Sequence, residues 1–177
     1  MVPEEPSAKP SDDACCILFK TTLVSIPLIP RFHAMLIEKI KNLDQTLAII
    51  IPMEYRSDGI EFYTADSFSQ QLAYMNRPTG YVIDPHVHNP VKRDVLWTQE
   101  VLFIRSGRMR VDFYTDGRHY LESRIVKTGD VVMLVAGGHG FEMLEPTEII
   151  EVKQGPYSGD QDKTRFEPVP DELIKLK

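Results

Sequence analysis

From Trp97 to Gln154 short apolar runs alternate with glycine-bearing turns, and this rhythm constrains the fold more than any other feature of the chain. TQEVLFIRS reads as a strand that stops at Gly107, and RMRVDFYT as the next. Asp116–Gly117 is a hairpin signal, because both residues tolerate the positive φ that tight two-residue turns require. RHYLESRIV returns, KTGD turns, VVMLVA reads as a buried strand, GGHG as another turn, and EIIEVKQ closes the series. Strands spaced about eight to twelve residues apart between glycine turns predict an all-β sandwich or barrel. Upstream, TLAIIIP, IEFYTA and QQLAYM read as strands separated by the turns RSDG and RPTG. One helix is expected, over Arg31–Leu43, where Phe32, Met35, Leu36, Ile40 and Leu43 recur at three- to four-residue spacing between charges.

A chain of 177 residues suits one domain with tails. The expected division is a tail over 1–30, a single domain over 31–157, and a polar, proline-bearing surface wrap over 158–177 ending in a helical turn. VPEEPSAKPSDD is proline-rich and acidic, the composition of a disordered tail. ACCILFKTTLVSIPLIP is interrupted by Lys20, Pro27 and Pro30, too short and broken to span a bilayer, and the acidic residues before it do not suit a secretory signal. Translation from Met35 would remove this part altogether. Cys15 and Cys16 are adjacent and supply no long-range staple, so no disulfide framework is expected and a cytoplasmic location is. The net charge of −6, without a block of lysine or arginine, argues against nucleic acid and membrane surfaces as partners. A small-molecule ligand is the expected partner.

Three residues carry the first hint of chemistry. His86 and His88 are two apart, so on an extended segment both imidazoles leave the same face and can converge on one ion. On the strand through Thr98–Ser106, Glu100 shares a face with Leu102 and Ile104. An acid on an inward apolar face is costly unless it is paired or bound to a cation. The bland readings are a polar loop pair for the histidines and, for Glu100, an ion pair with Arg108 or Arg110. For His139 the bland reading is a turn histidine bonded to backbone. His33 and His119 read as solvent-facing.

Gly80 lies six positions before His86, and Gly107 seven after Glu100; Gly129–Asp130 opens a strand that runs to Gly137, Gly138, His139 and Gly140. In these residues, over roughly 80–153, the chain resembles the cupin superfamily, whose two motifs pair His-x-His and a glutamate with a distant turn histidine. The segments TQEVLFI, GGHGFEML and EVKQGPY are also similar to those of a group of single-domain bacterial metal-binding cupins. The present chain departs from the pattern in three places. Eleven residues, NPVKRDVLWTQ, separate His88 from Glu100, Val135 stands where a proline is usual, and His139 comes one residue early. The insert, with Lys92, Arg93, Asp94 and Trp97, is expected to overhang the barrel mouth and to influence substrate choice.

The resemblance implies a double-stranded β-helix, or jelly-roll barrel, and a metal site of His86, His88, Glu100 and His139. Three imidazoles and a carboxylate suit a divalent transition metal (Fe, Mn, Ni, Zn or Cu) without choosing among them. Four protein ligands leave positions open, as a catalytic site requires. Around it, Lys153 is a candidate anion clamp and Tyr157 a candidate proton donor. Arg77, Asn89, Glu142 and Gln154 are further possible contacts. The implied function is binding or transformation of an oxygen-rich small molecule by dioxygenase-like or Lewis-acid chemistry. Alternatives are a sugar or nucleotide-sugar isomerase or epimerase and a non-catalytic ligand-binding or sensor protein. Homodimerisation through edge strands is expected by fold analogy.

Overall fold

The structure is a computed structural model that describes residues 36–177. The expectations for the acidic tail, the broken apolar stretch and the paired cysteines lie outside the described residues, as does the first part of the expected helix. The described part of that helix is instead a strand. β1 (Glu38–Asn42) pairs antiparallel with β2 (Gln45–Ile51), and Asn42 stands opposite Gln45 across a tight turn in which Leu43 takes φ 53°. A helical segment this short is marginal in water. Pairing with β2 places Ile40 against Ala48 in the core, and that burial outweighs the local periodicity.

Ten strands, all antiparallel within their sheets, make up the described fold. A hairpin of β3 (Gly59–Phe62) and β4 (Ala73–Asn76) is followed by β5 (Glu100–Ser106), β6 (Arg108–Tyr114), β7 (Tyr120–Lys127) and β8 (Val131–Leu134). β9 (Gly138–Met143) and β10 (Glu148–Lys153) complete the order. The strands form a five-stranded sheet, β1-β2-β8-β5-β10, and a three-stranded sheet, β7-β6-β9. The described residues form no closed barrel, and β9 and β10 are edge strands. No described helix is long and apolar enough to cross a membrane.

The continuous apolar runs acquire a physical reason here. Alternate residues of a strand leave opposite faces. In β2, Ala48 and Ile50 enter the core between the two sheets, while Ile49 and Ile51 pack on the other face with Tyr63, Met133 and Val135. β8 divides likewise, Val132 and Leu134 inward and Met133 outward. A strand buried on both faces needs no polar alternation, which is why IIIP and VVML read as unbroken apolar text. The three-stranded sheet supplies Met109, Val111, Phe113 and Val126 to the same core.

GGHG is not a simple turn. Gly137 alone turns, at φ 72°, with a Cβ there barred by the carbonyl oxygen of Tyr114. Gly138, His139 and Gly140 already belong to β9, in register with Tyr114, Phe113 and Asp112.

Candidate functional site

Two of the four expected ligands meet. Glu100 opens β5 with its side chain on the inner face, beside the core residues Leu102 and Ile104. His139 is opposite Phe113 on β9 and so shares its inward direction. The two strands belong to different sheets, and their side chains close the gap: His139 Nε2 stands 3.3 Å from Glu100 Oε2. The alternative of an ion pair between Glu100 and Arg108 or Arg110 does not form among the described residues. Arg110 bonds Asp112 at 2.8 Å and reaches Glu142 at 2.5 Å, so Glu142 is also committed elsewhere.

Lys153 completes the corner. It is the direct cross-strand partner of Glu100 on β10, and its Nζ lies 4.0 Å from Glu100 Oε1 and 3.4 Å from Glu151. The hydrogen bond from His139 holds the Glu100 carboxyl below its usual range, opposed by burial and assisted by the charges of His139, Lys153 and Lys163. Desolvation works against the Lys153 ammonium, but Glu151, Glu100 and Asp162 outweigh it and raise its pKa. Tyr157 is exposed, with its ring centroid 6.0 Å from Lys153 Nζ.

The start of β5 is clamped by amides. Gln99 is buried, and its Oε1 accepts from Ser69 Oγ (3.0 Å) and Gln70 N (3.1 Å). Gln154 Oε1 accepts from Gln99 N, and its Nε2 donates to Ser69 Oγ. Glu100 and Lys153 therefore sit beside residues fixed by one network. Alternation places these glutamine side chains on the opposite face from Glu100, so the network positions the strand without touching the site.

His86 and His88 stand apart from the corner. They lie on an exposed stretch, residues 81–97, without regular secondary structure. Their rings face each other edge to face at 5.3 Å, and His86 Nδ1 lies 3.0 Å from the carbonyl oxygen of Asp84. Asn89 is exposed on the same stretch, and Arg77 stacks its guanidinium on Tyr81 at 4.6 Å. Among the described residues no group of three or more His, Cys, Asp or Glu side chains gathers on one point. The donors form two pairs, His86 with His88 and Glu100 with His139. Each pair has the chemistry a borderline divalent ion accepts.

The end of the insert lies elsewhere than expected. Asp94, Leu96 and Trp97 line a cleft of about 490 Å³ with Ile49, Phe68 and Val135, on the outer face of the five-stranded sheet. The C-terminal segment also reaches the start of β5. Thr98 Oγ1 donates to Asp162 Oδ1 (3.1 Å), which ties this segment to the chain two residues before Glu100. Nothing in SGDQDKTRF distinguishes these polar residues from ordinary surface, so only the fold reveals the proximity.

The chain matches no family model, no curated protein and no solved structure in the comparisons made.

Proposed function

We propose that the chain is a metal-binding protein of cupin type, in which His86, His88, Glu100 and His139 hold a divalent transition metal and the site binds or transforms an oxygen-rich small molecule. The observation that carries the reading is the meeting of Glu100 and His139 at 3.3 Å from separate sheets. A second observation supports it. β9 is an edge strand whose inward Phe141 and Met143 remain 40% and 49% exposed, while the histidine segment exposes Tyr81, Val82, Ile83 and Val87. Unpaired edges and uncovered apolar rows favour addition of a strand. In the proposed jelly roll, residues around His86 and His88 pair with the free edge of β9, which turns both imidazoles toward His139.

A bound ion of this kind supplies Lewis-acid polarisation of a carbonyl or enediol oxygen or, as iron, reactivity toward dioxygen. The chain's own residues orient the ligand. Lys153 offers an ammonium to an anionic group, and Tyr157 a phenol at the mouth. A homodimer through the free edges belongs to the same reading.

The test is metal analysis of protein purified without a histidine tag. Near-stoichiometric transition metal, lost in the His86/His88/His139→Ala triple variant with folding preserved, supports the proposal. A folded protein that takes up no metal sinks it.

The Glu100–His139 pair also favours a second reading. A histidine oriented by a carboxylate is a general base, as a sugar or nucleotide-sugar isomerase or epimerase would use it, with Tyr157 as the acid. Oxygen consumption with candidate diols, set against isomerisation of sugar nucleotides, separates the two. Ligand binding without turnover would favour a sensor.

A further inference from the structure

Between β8 and β9 the chain crosses from the larger sheet to the smaller in three residues, 135–137. Their amide groups are all engaged. Val135 N and Ala136 N share the carbonyl oxygen of Leu47, at 2.8 and 3.3 Å, and Gly137 N donates to Asp116 Oδ1 at 3.0 Å. The other oxygen of that carboxylate accepts from Gln45 Nε2 at 2.9 Å. One side chain therefore ties together the β1–β2 turn, the β6–β7 turn and the crossing. The register brings them to one place: β6 ends with Tyr114 opposite Gly138, so the residues after Tyr114 run on beside Gly137. The turn geometry itself does not account for the acid. Arg118 N closes the turn on Thr115 O, and its left-handed residue is Arg118, at φ 66°, rather than Asp116 or Gly117.

We propose that Asp116 is a positioning residue for the Glu100–His139 corner: by holding Gly137 it fixes the start of β9 and, two residues on, the direction of the His139 imidazole. Its functional weight rests on the function proposed above; the placement of His139 does not. Among the described residues β9 pairs only with β6, and His139 is its second residue, where an edge strand frays most readily. The imidazole nevertheless keeps Nε2 at 3.3 Å from a carboxylate on the other sheet. Gly137 has no room for a side chain that could hold the turn by packing. Asp116 supplies the hold from outside the strand, through a hydrogen bond that its charge strengthens.

Two readouts on the full-length, metal-free chain test this, in wild type, Asp116→Ala, Asp116→Asn and the charge control Asp44→Asn. Hydrogen exchange of the Gly137 amide should speed up about five- to tenfold in Asp116→Ala, the loss of one net hydrogen bond, while Val135 and Ala136 keep their rates. Asparagine retains an acceptor oxygen, so Asp116→Asn should recover most of the protection, and Asp44→Asn should match wild type. The second readout is the change in the His139 ring-nitrogen NMR signals when Glu100→Gln is added to each protein. Wild type, Asp116→Asn and Asp44→Asn should respond alike. Asp116→Ala should lose most of the response, because its imidazole no longer keeps its place beside residue 100. Unchanged Gly137 exchange in Asp116→Ala overturns the clamp. Faster exchange with the full response to Glu100→Gln overturns the positioning role and leaves Asp116 a brace for the turn. Failure to bind metal or ligand would end the proposed function without altering either readout, so the two failures are told apart.

Discussion

At the scale of single residues, the chain satisfies its buried charges in two different ways. Asp112 is 4% exposed and lies on the face of the three-stranded sheet turned away from the shared core, where it accepts from Arg110 Nε (2.8 Å) and from Ser123 Oγ (2.5 Å). Ser123 in turn contacts Tyr120 Oη at 2.8 Å. Replacing Asp112 with alanine takes one acceptor from the largely buried Arg110 guanidinium, which keeps only the half-exposed Glu142, and one from the buried Ser123 hydroxyl, which keeps only Tyr120 Oη. Urea denaturation should show a loss of about 3 kcal/mol. Glu100 is satisfied chiefly by His139, and its depressed pKa makes a statement about pH. A carboxyl held lower in the folded chain contributes stability above the unfolded value of about 4.3, and loses it as pH falls through the lower folded value. Melting temperatures measured between about pH 5 and pH 3 should converge for wild type and Glu100→Gln as Glu100 protonates. A constant difference across that range would refute the linkage. These neighbours were only partly legible in advance. Alternation along β5 put Glu100 inward, but the partners it suggested were a cation or, failing that, Arg108 or Arg110, because a one-dimensional pattern says which face a side chain takes and not what stands opposite.

Elements follow the same logic one level up. β5, β6, β7, β8 and β10 were readable because each couples period-two or unbroken apolar text to a glycine turn. β1 was not. Ile40 and Leu43 are three apart and fit one helical face, yet Ile40 lies in the core and Leu43 is exposed at the turn that ends the strand. Three-residue spacing in a strand alternates faces, so the same letters serve either element until a partner decides. β9 was missed because four glycine-rich letters resemble a turn. Its position depends on Gly137, whose positive φ and close approach to the Tyr114 carbonyl leave no room for a side chain. Gly137→Ala should cost about 2 kcal/mol in chemical denaturation and shift the imidazole signals of His139 in NMR spectra, since the residue that follows the turn by two must move. A fully stable variant with unshifted His139 would show that the turn does not set the site.

On the scale of the whole molecule, two sheets enclose one core, a second apolar layer covers the outer face of the larger sheet, and the C-terminal segment seals one edge. Ser123 N donates to Lys175 O and Lys177 N to Ser123 O, so the last residues occupy the free side of β7. Removing residues 164–177 should uncover that edge and empty the partners of Tyr114 and Tyr120. Differential scanning calorimetry should record a lower melting temperature, and light scattering more association, because an open strand edge invites pairing. An unchanged melting temperature and a monodisperse variant would contradict this. The amino-acid sequence by itself determined the all-β class, most strand positions and the inward direction of Glu100, because these depend on residue spacing and turn chemistry that act within a few positions. Only the tertiary structure decided that Ile40 lies in a strand, that Glu100 answers His139 rather than Arg110, and that Asp162 returns to Thr98 at the start of β5. Those outcomes depend on which segments pack together across tens of residues, and burial shared between distant segments leaves no local mark in the sequence of either.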